Sequence, residues 1–227
     1  MRSFPLVLLT GLLLPATGFA AGGHHAVDDA TILEPGQCGL ELWAERSNLD
    51  RRQLQHAGFA CHILGAEVEI NAGRETATTA RTLHLHGAQL KWATALQPQL
   101  AIGLVGALGW QDQTPRLQQS FLAPLTWTPR EDLALHLNVG RTLLKRAPDR
   151  TLRGAALEWQ AAPAWQLLAE VFHDGQRPLT RVGLRHTQSD RVTIDLSFAK
   201  ASAAGTATAR VPKEGWWTLG ANWSFGH

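Results

Sequence analysis

Apolar and polar residues alternate with a period of two along most of the chain. In the last such stretch Trp217, Leu219, Ala221, Trp223 and Phe225 fall on one face, and Thr218, Gly220, Asn222 and Ser224 on the other. Asp132–Arg141 repeats the pattern, with Leu133, Leu135, Leu137 and Val139 opposite Ala134, His136, Asn138 and Gly140. In Arg191–Lys200 the apolar set is Val192, Ile194, Leu196 and Phe198. Successive side chains of a strand point to opposite faces, so each segment reads as a strand with one apolar side. About twelve segments qualify: Cys38–Arg46, Gln53–Leu64, Glu67–Arg74, Thr79–Ala95, Gln99–Gln111, Gln118–Thr128, Asp132–Arg141, Leu152–Ala161, Ala164–His173, Leu179–Thr187, Arg191–Lys200 and Gly215–Phe225. Ten is the alternative count. Turn chemistry separates them at Gln97-Pro98-Gln99, Thr128–Asp132, Asp174–Pro178 and Gln188-Ser189-Asp190. No helical period of comparable strength appears after residue 20.

The first twenty residues differ in kind. Arg2 precedes an apolar run from Phe4 to Leu14, and Gly18-Phe19-Ala20 offers small residues for cleavage. The run is too short to span a bilayer as a helix, which takes about 20 residues. A cleaved signal peptide over 1–20 is expected, with cleavage after Ala21 as a close competitor. The chain then divides into a periplasmic segment over 21–37, rich in His and Asp, and a strand-forming body over 38–227.

Composition narrows the class. A net charge of +2 gives no electrostatic case for nucleic acid. Mean hydropathy of −0.12 suits a soluble β-sandwich or a barrel whose inward residues dilute an apolar exterior. Nine Trp fit membrane interfaces, although the absence of Tyr is unusual for an aromatic girdle.

Export places Cys38 and Cys61 in an oxidising compartment, where a disulfide is expected. Pairing them across an antiparallel hairpin sets Leu40 opposite Phe59, Leu42 opposite Ala57 and Arg46 opposite Gln53. The turn then falls near Asn48-Leu49-Asp50-Arg51.

The leader, the successive amphipathic strands and the aromatic closing strand Trp216–Phe225 resemble a small Gram-negative outer-membrane β-barrel. The resemblance spans the whole chain after the leader, and it departs from the usual pattern in ending Gly226-His227 and in lacking Tyr. It implies an all-β, antiparallel up-and-down transmembrane barrel in the cell outer membrane. Its implied partners are outer-membrane lipid and the barrel-assembly machinery, and its implied role is non-enzymatic transport or binding of small solutes. In such barrels short turns face the periplasm and longer loops the outside. That assigns Thr142–Thr151, with Lys145, Arg146 and Arg150, and Ala201–Glu214 to the surface.

Three groups of residues carry candidate chemistry. His24, His25, Asp28 and Asp29 form a short run of imidazoles and carboxylates suited to Cu, Ni or Zn, and no other cofactor is expected. The polar strand faces supply lumen candidates: His84, His86, His136, Asn138, Glu158, Glu170, Asp195 and Asn222, with Glu67 and Glu69 beside them. In a narrow barrel these groups either line a water path or fill the interior as a hydrogen-bonded plug, and the small interior favours the plug. Ala101, Gly103, Ala107 and Gly109 mark where bulk is relieved. A hydrolase is the remaining alternative. Ser120, His136 and Asn138, or His186, Thr193 and Asp195, lie on neighbouring strands, but no Gly-x-Ser-x-Gly elbow accompanies them.

Overall fold

The computed structural model describes residues 24–49, 51–112, 118–145, 148–203 and 213–226. The leader expected over 1–20 lies outside them, as do Gly22, Gly23 and most of the loop before Glu214. Twelve strands follow in chain order: β1 (Gln37–Ser47), β2 (Gln53–Ile63), β3 (Ala66–Thr76), β4 (Leu83–Gln97), β5 (Leu100–Gln111), β6 (Gln118–Arg130), β7 (Leu133–Leu144), β8 (Arg150–Ala162), β9 (Trp165–His173), β10 (Pro178–Ser189), β11 (Val192–Ala201) and β12 (Glu214–Gly226). Each pairs antiparallel with its neighbour in sequence, and β1 meets β12 from Gln37↔Gly226 to Ser47↔Trp216. The sheet therefore closes on itself and leaves no edge. Closure replaces the two-sheet sandwich that hydropathy alone allows.

The alternation sorts side chains between two solvents. On β12 Trp217 is 57% exposed and Leu219 59%, while Thr218 between them is 0%. The outward positions of every other strand repeat this, with exposed Leu42, Phe59, Ile70, Leu90, Leu104, Phe121, Leu137, Leu157, Val171, Val182 and Leu196. Apolar surface continuous around a whole molecule requires an apolar partner. A closed barrel is one of two folds able to meet hydrocarbon with every backbone group bonded internally. The strands are also long enough for the crossing, which takes about 9–11 tilted residues.

The two ends differ. At the end where β1 begins and β12 finishes, the turns Leu64-Gly65, Pro98-Gln99, Glu131-Asp132, Pro163-Ala164 and Asp190-Arg191 are two residues long. Leu64 and Gly65 both have positive φ (51° and 82°), the backbone of a type I′ hairpin that matches strand twist. The longer connections all lie at the other end.

Cys38 and Cys61 form a disulfide on the short-turn half of the β1–β2 hairpin. The register places Leu40 opposite Phe59, Leu42 opposite Ala57 and Arg46 opposite Gln53, as expected from the cysteine pairing. Cys38 also lies opposite Phe225 of β12, so the cross-link adjoins the barrel's closing seam.

One pair of lumen candidates is misplaced by the sequence. His84 and His86 share the outward face of β4 with Leu90 and Trp92, while Leu83, Leu85, Gly87 and Lys91 face inward. His86 instead meets the exposed ring of Trp110 on β5, at 6.0 Å between centroids. The reason is height. Outward positions near the rim meet headgroups and water rather than hydrocarbon, so a polar residue is tolerated there and the apolar–polar rule inverts.

A lumenal site filled by the N-terminal segment

Residues 24–36 turn into the barrel instead of hanging below it. Val27 is 0% exposed and Asp29 1%, values of a protein core rather than a tail. The segment forms no strand and joins no ladder. Buried backbone N–H and C=O groups must be partnered, and wall side chains supply the partners.

Starting from the short-turn end, the Leu33 N–H donates to Glu67 (3.0 Å) on β3, and the Leu33 carbonyl lies 2.6 Å from His62 Nδ1 on β2. The Ala30 N–H donates to Thr126 Oγ1 on β6 (2.8 Å), which also meets His136 Nδ1 on β7 (2.9 Å). Lys91 Nζ on β4 bridges Asp28 (2.7 Å) and Asp29 (2.8 Å). Asn138, with its amide turned to satisfy both neighbours, donates to the Asp28 carbonyl (2.8 Å) and accepts from the Asp28 N–H (2.6 Å). On β9 the Glu170 carboxylate accepts from the N–H groups of Ala26 and Val27 (3.0–3.2 Å). Arg181 on β10 pairs with that carboxylate (3.1 Å) and donates to the His24 carbonyl. His24 Nε2 completes the path, 2.7 Å from Ser197 Oγ on β11.

Small inward residues make the room. A Cβ on Gly154 would lie 2.7 Å from Val27 Cγ2, and one on Gly220 would lie 3.3 Å from His24 Nδ1. A Cβ on Gly103 would meet Ala30 Cα at 3.6 Å, which places the relief expected on β5 directly against the segment.

Beyond the segment the lumen is knitted by ion pairs. Arg185 pairs with Asp195 (2.6 Å), and Asn222 donates to the same carboxylate (2.7 Å). Gln166 donates to Glu158 (2.9 Å). At the long-loop mouth Glu214 accepts from Ser47 (2.7 Å), Arg52 (2.9 Å) and Arg177 (2.7 Å). Charges removed from water require partners of this kind. Burial, with Arg181 and Arg185 nearby, lowers the His24 imidazole from its ordinary value to about 3. Burial lowers His25 well below its ordinary value too, with His24 and Arg185 adding to the effect. Both rings are neutral at physiological pH.

His136, Asn138, Glu158, Glu170, Asp195 and Asn222 all face the lumen. The N-terminal quartet is split by its partners. His24 and His25 pack on each other with tilted rings, 4.4 Å between centroids, beside β10 and β11, whereas Asp28 and Asp29 hold Lys91 of β4. Among the described residues no three His, Cys, Asp or Glu side chains gather as a metal site. The hydrolase sets are also divided. Ser120 bonds Thr142 (3.0 Å), and the strand register puts that pair six residues from His136, about 20 Å along β7. His186 packs on Trp165 outside the wall while Asp195 faces inside.

Lys91, Arg181, Arg185 and Thr126 belong to the site without having stood out in the sequence. A usable signal existed on β10, where Arg181, Gly183 and Arg185 alternate with Val182 and Leu184.

Solved structures share this architecture. The KdgM porin in complex with disordered oligogalacturonate superposes with a TM-score of 0.68 at 7% identity, covering 82% of this chain and 99% of that one. The NanC porin gives 0.65 at 7% identity, covering 81% and 98%. The Ralstonia pickettii toluene transporter TbuX gives 0.54 at 6% identity, covering 86% and 90%. Identities this low establish a common fold. No curated protein matches the chain. A family model matches residues 9–225, and the chain belongs to that family, described as Uncharacterised conserved protein UCP029691.

Proposed function

We propose that this protein is a non-enzymatic outer-membrane barrel that binds or passes small polar solutes, with residues 24–36 as a removable stopper. One observation carries the proposal: the segment is held by wall side chains and takes no part in the barrel's ladder. Its departure breaks no strand pairing, so the wall persists while the lumen opens. The lumen left behind is lined by Lys91, Arg181, Arg185, Glu67 and Glu170, which suits a charged or hydrogen-bonding solute rather than a hydrocarbon. Use of the same architecture by porins and by a toluene transporter supports transport.

Conductance in planar bilayers tests the proposal. The full mature chain should be closed for most of the record. A variant lacking residues 21–33 should conduct steadily while keeping heat-modifiable migration on gels. Gly154→Val in the intact chain should also conduct, because its side chain takes the space of Val27. A folded deletion variant that stays closed would sink the proposal.

A further inference from the structure

The barrel's outer wall gathers most of its strand cations at one end. Arg46 on β1, Arg74 on β3, Arg141 on β7, Arg153 on β8 and Lys200 on β11 occupy exposed outward positions near the long loops. Every Asp and Glu within the twelve described strands faces inward, so no carboxylate opposes these cations along the wall. The short-turn end is different. There Trp127, Trp159, Trp165 and Trp223 occupy the outward positions, and the strand cation beside them, Arg130 of β6, is held by Asp132 of the adjoining turn.

The cations are grouped by register. Arg153 stands opposite His173 of β9, and Arg141 stands opposite Thr151, two residues from Arg153 on the same face. The two guanidinium stems are therefore diagonal neighbours, about 7–8 Å apart. Arg141 also meets Asp149 of the adjoining loop at 2.9 Å. Around the wall Arg74 stands opposite His84, and Arg46 opposite Trp217. Arg46 and Arg74 are two strands apart, about 10 Å laterally. Guanidinium forks at such spacings match phosphate oxygens, which they bind bidentately.

We propose that this band docks the phosphate groups of an anionic lipid in the leaflet nearest the long loops, with Arg141–Arg153 and Arg46–Arg74 as its two clamps. The height fits, since a cation at the hydrocarbon midplane is costly while one at the headgroup level is not. The sign fits, because the band stays net cationic even with Asp149 beside Arg141, and a net cationic ring attracts anionic headgroups. Occupancy of the lumen plays no part in it.

The test is native mass spectrometry of the folded mature protein, released from detergent and titrated with bisphosphorylated lipid A or its dephosphorylated form. The wild type should retain the phosphorylated lipid preferentially, and retention should fall as salt rises. Arg141→Gln/Arg153→Gln and Arg46→Gln/Arg74→Gln should each weaken retention, about fivefold per charge removed. Arg191→Gln, in a turn at the opposite end, should change nothing. If a Gln double fails to fold, the wild-type preference for the phosphorylated lipid decides alone. Equal retention of both lipids, or folded Gln doubles with wild-type retention, overturns the proposal.

Discussion

The wall and the segment inside it are built from the same short vocabulary of residues but held by opposite means. The wall is a continuous backbone ladder that closes from β1 to β12, with side chains sorted by solvent. The segment has no ladder, and what holds it are point contacts from Glu67, Lys91, Thr126, Glu170, Arg181 and Ser197. A ladder fails cooperatively, whereas point contacts fail one at a time. Under the stopper proposal, the lumen therefore contains the part of the molecule that changes state without unfolding.

The sharpest way to break the comparison is to remove the cation that two carboxylates share. Lys91→Met leaves Asp28 and Asp29 buried without their common partner, which should cost about 3–5 kcal/mol of segment docking. Protease cleavage within residues 24–36 should become fast in the variant while urea unfolding of the barrel in vesicles keeps its midpoint. A shifted midpoint with a still protected segment would show that wall and stopper are one cooperative unit.

The converse change attacks the wall. Leu137 lies near the middle of β7, 54% exposed on the outward face. Leu137→Arg should cost about 2–4 kcal/mol of barrel stability, since it sets a charge against hydrocarbon. Unfolding titrations in vesicles measure this, and protection of residues 24–36 below the transition should match the wild type. A neutral outcome would mean that Leu137 does not face lipid.

A gentler probe is acid. His24 titrates near 3 when docked and near 6.5 when free, so the free segment binds the extra proton. Docking is then at full strength above about pH 6.5 and weakens steadily as pH falls toward 3. Conductance recorded at falling pH should rise in the wild type, and the rise should be smaller in His24→Gln. Identical pH profiles would assign the effect to lumen carboxylates instead.

Much of the wall was legible because its code is local. All twelve expected strands exist, and most ends agree to within two or three residues, as in Arg191–Lys200 against Val192–Ala201. The Cys38–Cys61 register followed from export and hairpin pairing alone. His84 and His86 went astray because the period of two fixes which residues share a face but not which face meets lipid. On β4 that choice is made by Leu90 and Trp92 deeper in the membrane.

The sequence by itself determined the barrel: a two-residue period needs only neighbours along the chain to declare which side chains travel together. It also assigned His136, Asn138, Glu158, Glu170, Asp195 and Asn222 to the polar faces of their strands. Only the tertiary structure decided that Gly23's successors enter the lumen, because residues 24–36 have no period and find their partners on strands 29 to 173 positions away. Which carboxylate meets which cation across the interior is a property of closure. Lys91, Glu170 and Arg181 become one site only once β12 has joined β1.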